Sequence, residues 1–162
     1  MAPVDWVKNL NKMYQGQGFP PYNWSRHDSS PWVPFEKPLA EACLAFVCSA
    51  GISREDQEPF DPWAVNGLGF REVPVDTPYD KLKLNHNYID HRDAVRDLNI
   101  VYPVQLLRKL EKDGFIGRLA PNTITLGMGR LYKRSELLSQ TVPPILEKLK
   151  EMGADAVLLA TT

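Results

Sequence analysis

Residues 39–51, LAEACLAFVCSAG, decide the fold. From Ala42 to Ala50 the run carries no charge and almost no polar group, so it does not alternate as a half-solvated strand would. A continuous apolar run of this length, closed by Ser49, Ala50 and Gly51, suits a strand covered on both faces, as in a parallel α/β sheet. Its small-residue turn falls at the carboxyl end of that strand, where α/β folds place ligands. Cys43 and Cys48 lie within it. Five residues at about 3.3 Å each separate them by ~16 Å and point them to opposite faces. A disulfide needs Cα atoms within about 7 Å, so the pair reads as two small buried hydrophobes.

Working outward, GFREVP (69–74) and KLKLNHN (81–87) predict short strands. Pro103 suits the first turn of a helix, because the N–H it lacks would have no partner there. Val104, Leu106, Leu107 and Leu110 supply that helix's apolar face and Gly114 ends it. Leu119, Ile124 and Leu126 read as irregular or strand-like chain. A second helix is predicted from about Ser135 to Met152, with a kink or restart at Pro143–Pro144. DAVLLATT (155–162) then predicts a second buried strand. The fold class expected is α/β: a Rossmann-like three-layer domain with a mostly parallel sheet, over residues 39–162. Residues 1–38 form its prelude, a short amphipathic helix (Trp6, Val7, Leu10, Met13) and a proline-rich N-terminal arm. Seven glycines and prolines between Gly16 and Pro38 make that arm extended, and Trp24 and Trp32 are expected to pin it by burial.

The chain has 162 residues, 43% hydrophobic and 24% charged, with 19 basic and 20 acidic side chains. That composition is of an ordinary globular domain. The balanced charge leaves no electrostatic footprint for nucleic acid or an anionic membrane surface. No apolar run reaches the ~18 residues of a membrane span. The first residues lack the layout of a signal peptide, so a cytoplasmic location is expected.

The densest polar stretch is NHNYIDHRDAVRDLNIVYP, residues 85–103. It holds His86 and His91, two of the three histidines, interleaved with Asp90, Asp93, Asp97, Arg92 and Arg96. Imidazoles titrate near neutrality and suit proton transfer. Asp90 or Asp93 could orient one, and a guanidinium fork, Arg92 or Arg96, matches a substrate carboxylate. Asn87 and Tyr88 complete the candidate binding set. His86, Asp90, His91 and Asp93 are also N/O ligands of the kind zinc or iron takes, although their spacing matches no strong metal signature. A third reading makes the block an internal salt-bridge and capping network. Asp97 and Asn99 look the most structural, since they precede the Pro103 helix.

Several of these segments resemble the selenoprotein B family of glycine/sarcosine/betaine reductases and the related D-proline reductase subunit. They are AFVCSAG (45–51), FREVP (70–74), HNYIDHRDAVRDLNIVYP (86–103), LLRKLEKDGFIGRLA (106–120) and GADAVLL (153–159). The likeness spans roughly residues 35–162 and is most specific in the histidine–aspartate–arginine block. It implies an oxidoreductase of amino-acid metabolism that reductively cleaves a C–N bond of glycine, betaine, sarcosine or a proline-type substrate. In that chemistry a selenolate or thiolate attacks and a dithiol ends as a disulfide; a selenol ionises more readily than a thiol. With such a redox centre nearby, the chemistry of the block makes His86, His91, Asp90 and Asp93 the candidate catalytic residues and Arg92, Arg96, Asn87 and Tyr88 the candidate substrate-binding ones; no metal is assigned, with zinc or iron the competing occupant. The resemblance also places the selenocysteine or cysteine motif after the strand that resembles DAVLLATT, beyond Thr162. A selenocysteine codon read as stop, a truncation, and a short paralogue with a binding role are three explanations that stay open. The partners implied are a small carboxylate-bearing substrate and other reductase subunits, with a homo-oligomer as a further candidate. The alternative from another class is a non-catalytic ligand- or metal-binding partner subunit.

Overall fold

The computed structural model describes residues 5–21, 27–87, 90–129 and 133–160. The apolar run at its centre becomes strand β1 (Cys43–Cys48), and all six of its side chains are buried. Two different layers achieve this. Cys43 and Ala45 pack with Ala120, Leu149, Met152 and Ala154, while Val47 packs with Ile124 and Ile145. Leu44, Phe46 and Cys48 point the other way, into a larger cluster with Tyr102, Val104, Leu107 and Leu119. The two cysteines therefore lie on opposite faces, both as free thiols. Burying a side chain the size of Phe46 contributes roughly 2–3 kcal/mol, which is why this strand anchors the domain.

The remaining strands assemble around β1. After it come β2 (Ile52–Arg54), β3 (Phe70–Pro74), β4 (Leu82–Leu84), β5 (Arg118–Leu119), β6 (Asn122–Leu126) and β7 (Ala156–Ala160). Strands β5 and β6 lie parallel to β1 along one flank, pairing Cys43 with Arg118 and Val47 with Ile124. Along the other flank β7 runs parallel to β1, from Leu44–Ala156 to Cys48–Ala160. Strand β3 is antiparallel to β6 at the far edge. The sheet is thus mixed but mostly parallel, and β2 and β4 form a separate antiparallel ribbon. The fold is α/β, as expected.

Few helices complete it. Helix α1 (Trp6–Gly16) is followed by the short α2 (Arg92–Arg96) and by α3 (Val104–Lys112). A turn of α-helix, α4 (Arg134–Glu136), passes through a π-helical turn at Leu137–Thr141 into α5 (Val142–Glu151). The disturbance expected at Pro143–Pro144 is this π turn. Neither proline can donate an N–H to the carbonyls of Ser139 and Gln140, and the widened turn absorbs the mismatch. Thr141 is buried there, and its hydroxyl donates to the Leu68 carbonyl at 2.7 Å. Gly114 and Gly153 end α3 and α5.

Two expectations need correction. Strand β7 is not buried on both faces: Val157, Leu158 and Leu159 are 41%, 40% and 70% exposed. Among the described residues no strand pairs with its outer edge, so only one flank is covered. Trp32 does not pin the arm, since it is 83% exposed. It sits between Pro31 and Pro34 in chain without regular structure. Trp24 lies outside the described residues. The chain divides into two compact units, Met1–Phe35 and Glu36–Thr162. In the first, α1 buries none of its side chains. No helix among the described residues is long and apolar enough to cross a membrane.

Candidate functional site

The carboxyl end of β1 is where the sheet and the polar block meet. The Ser49 N–H donates to the Ala160 carbonyl at 3.2 Å, and the Gly51 N–H donates to the Leu126 carbonyl at 2.9 Å. These bonds tie together the carboxyl ends of β1, β6 and β7. Gly51 has φ +65°, a left-handed conformation that a side chain disfavours. Its carbonyl accepts from the Asn85 N–H at 3.0 Å and from Asn85 Nδ2 at 3.4 Å. The same Nδ2 donates to Ser53 Oγ at 3.0 Å, and Ser53 is fully buried. A Cβ on Gly51 would overlap the Asn85 carbonyl oxygen. The chain leaving β4 is thus clamped against the turn that ends β1.

The next residue, His86, is 2% exposed. Burial lowers its pKa below the usual histidine value, and the nearby His91 pushes the same way. A buried imidazole avoids its charged form, so His86 is neutral at pH 7. His91 is exposed and immediately precedes α2. The structure therefore brings the two histidines within electrostatic range of each other, one buried and one solvated.

Asp90 and Asp93 each pair with an arginine of the same block. Asp90 is gripped by Arg92, whose Nε lies 2.9 and 3.0 Å from its two oxygens and whose Nη2 lies 2.5 Å from Oδ2. The Arg92 side chain holds that carboxyl below the usual carboxylate range. Asp93 pairs with Arg96 at 3.2 Å. Both pairs are exposed, so each contributes little to stability. Asn87 is exposed and Tyr88 lies outside the described residues. Asp97 Oδ1 accepts from the backbone and side chain of Asn99 at 3.0 and 2.9 Å, capping the 3₁₀ turn Leu98–Ile100. Among the described residues, no three or more histidine, cysteine or acidic side chains converge as metal ligands would.

Two clefts flank these elements. One, about 350 Å³, has an apolar floor that includes Leu82, Leu84 and Leu98, with Arg96, Asn99 and Tyr79 around it. Arg96, one of the candidate binding residues, thus lines this cleft. The other, about 200 Å³, lies at the carboxyl end of β6 beside Phe60, Arg71, Gly127 and Met128. The Arg71 guanidinium stacks 4.6 Å above the Phe60 ring.

Sequence reasoning missed Ser53 and Tyr79. The Tyr79 hydroxyl lies 2.5 Å from the Tyr102 carbonyl and accepts from the Gln105 N–H at 3.0 Å, joining the polar block to the start of α3. A lone serine in a three-residue strand, or a lone tyrosine at the start of a 3₁₀ turn, carries no sequence signal for such a role. The cysteines are unsuited to nucleophilic attack. Burial pushes the Cys48 thiol up to about 11 and raises that of Cys43. Neither is a thiolate at neutral pH.

Comparison with known proteins adds what geometry cannot. The family profile described as glycine/sarcosine/betaine reductase selenoprotein B matches residues 22–162. The D-proline reductase subunit gamma of Acetoanaerobium sticklandii is 34% identical over 128 residues, 79% of this chain and 52% of the relative. The glycine reductase complex component B subunit gamma of Carboxydothermus hydrogenoformans is 30% identical over 139 residues, 83% of this chain and 31% of the relative. The sarcosine reductase complex component B subunit beta of Peptoclostridium acidaminophilum is 28% identical over 142 residues, with the same two coverages, 83% and 31%. The chain therefore spans between about a third and a half of the curated relatives it matches. No solved structure matches significantly.

Proposed function

Because this chain belongs to the glycine/sarcosine/betaine reductase selenoprotein B family, we propose that it serves an amino-acid reductase complex as a Rossmann-like component that handles a small, carboxylate-bearing substrate. The observation that carries this reading is the neutral, buried His86 held at the carboxyl end of β1 by the Gly51–Asn85 clamp, with His91 in electrostatic range. In reductive C–N cleavage the amine must leave with a proton, and two electrons come from a dithiol that ends as a disulfide. Oxidation of the dithiol releases two protons; a neutral imidazole can take up one at pH 7 and pass it to the departing amine, and a solvated one beside it can exchange protons with water. His86 and His91 take these two roles. Arg96, on the rim of its cleft, holds the substrate carboxylate after releasing Asp93, an exposed pairing that costs little to open. The attacking selenolate or thiolate comes from a group other than Cys43 and Cys48, whose burial keeps them protonated.

The test is histidine-resolved NMR of the chain titrated separately with glycine, sarcosine, betaine, proline and zinc. Selective shifts of His86 and His91 with one of the carboxylates, weakened by Arg96→Ala, support the reading. Tight zinc binding that disappears in the His86→Ala/His91→Ala double variant replaces it with the metal-binding alternative. No response to any of the five at millimolar concentration refutes a ligand role for this edge.

A further inference from the structure

The cleft that Arg96 lines joins two kinds of surface. Its floor belongs to the main core. Leu82 and Leu84 lie on either side of the exposed Lys83, so both turn to the same side of β4. With Leu98 they pack, half-buried, against the cluster that holds Phe46 and Tyr102. Ala94, 3% exposed, carries the floor onto α2, and the exposed Val95 stands at its margin. The polar rim is largely committed within itself. The Tyr79 hydroxyl lies 3.0 Å from Asn99 Oδ1, and Asn99 Nδ2 donates to Asp97 Oδ1 at 2.9 Å. Arg96 differs. Among the described residues its ion-pair partner is Asp93, which lies outside the cleft lining, in a pair whose side chains are 79% and 76% exposed. An exposed pair of this kind opens at little cost.

A ligand entering this hollow of about 350 Å³ therefore meets one available guanidinium and a floor of hydrocarbon. Small-molecule sites have this make-up, mostly apolar with a few placed polar groups. We propose that the cleft selects its ligand by hydrocarbon body. It takes a carboxylate on Arg96 whose aliphatic part lies on Leu82, Leu84 and Leu98. The inference rests on the reading of Arg96 as the carboxylate partner and narrows it. Glycine occupies the guanidinium and leaves the leucine floor wet. Proline is glycine with three methylenes closing a ring between nitrogen and the α-carbon, and it covers both. The cleft thus suits proline-type ligands and not glycine-type ones. Each methylene removed from water tightens binding roughly fourfold, so three of them, in a cleft whose Val95 margin stays exposed, give at least about tenfold.

Methyl-resolved NMR of the intact chain follows Leu82, Leu84 and Leu98 during separate titrations. The ligands are glycine, sarcosine and proline, which add none, one and three carbons, and acetate and pentanoate, which carry no amine. Affinity should rise along each series, by at least tenfold from glycine to proline, with shifts at the three leucines. Arg96→Ala should weaken both series. Val95→Asn, at an exposed position and checked for folding by circular dichroism, should lower the proline-to-glycine ratio at least twofold. Equal affinity for glycine and proline, both weakened by Arg96→Ala, overturns the selection and leaves the carboxylate role of Arg96 standing. A proline preference that moves none of the three leucines places the selectivity elsewhere and overturns it too. Binding of none of the five at millimolar concentration removes the ligand role of Arg96, and the inference with it.

Discussion

Replacing Gly51 by alanine tests whether the clamp between β1 and the polar block is as tight as its geometry implies. Two costs combine. The left-handed conformation at φ +65° costs an alanine roughly 1–2 kcal/mol. The new Cβ also overlaps the Asn85 carbonyl oxygen, a backbone atom that cannot rotate aside. Moving it strains or breaks the bonds from Asn85 N–H and Nδ2 to the Gly51 carbonyl, each worth about 0.5–1.5 kcal/mol. The expected total is about 3–4 kcal/mol. For a chain of this length that corresponds to a melting temperature lower by roughly 8–14 °C. Gly114→Ala is the matched control. Gly114 has φ +80°, and nothing lies within 4 Å of its would-be Cβ, so only the conformational cost applies. Urea unfolding of both variants, with unchanged m-values as the check on two-state behaviour, isolates the steric part as their difference. If the two variants lose the same stability, Asn85 is not pressed against the turn and the proposed placement of His86 loses its support.

Other perturbations follow from the same contacts. His86 has a folded pKa below its unfolded value near 6.5, so the unfolded chain binds more protons between those two values. Its contribution is present above about pH 6.5 and is lost as pH falls towards the folded value; NMR should show His86 titrating below free histidine, and a midpoint above 6.5 contradicts its burial. Asp155 is held below the ordinary carboxylate range chiefly by the Cys43 N–H, and by Lys37. Asp155→Asn should lower the melting temperature at pH 7 and flatten the loss of stability on acidification below about pH 4; an unaltered acid limb argues against the clamp between Asp155 and Cys43. Trp32→Ala should leave the melting temperature within about 1 °C, because an exposed ring contributes little burial; a clear drop would show that the arm is anchored after all.

The sequence by itself determined the elements whose periodicity is strong. The both-face apolar run of β1, the helix after Pro103, the disturbed helix around Pro143–Pro144 and the strand 156–160 are written locally, because burial period and missing N–H groups are local properties. The likeness in residues 86–103 likewise named the family before any geometry was known. Tertiary structure alone decided which strands are neighbours. Strand β7 looks like an interior strand yet, among the described residues, pairs only with β1, because pairing is set by what occupies each flank and not by the composition of β7. It also decided that His86 is buried while His91, five residues on, is solvated. Both have polar sequence neighbours, and only the distant Gly51 turn distinguishes them. The arginines were legible as carboxylate partners. That their present partners are Asp90 and Asp93, two and three residues away, follows from how tightly α2 begins, which no residue type in the stretch announces.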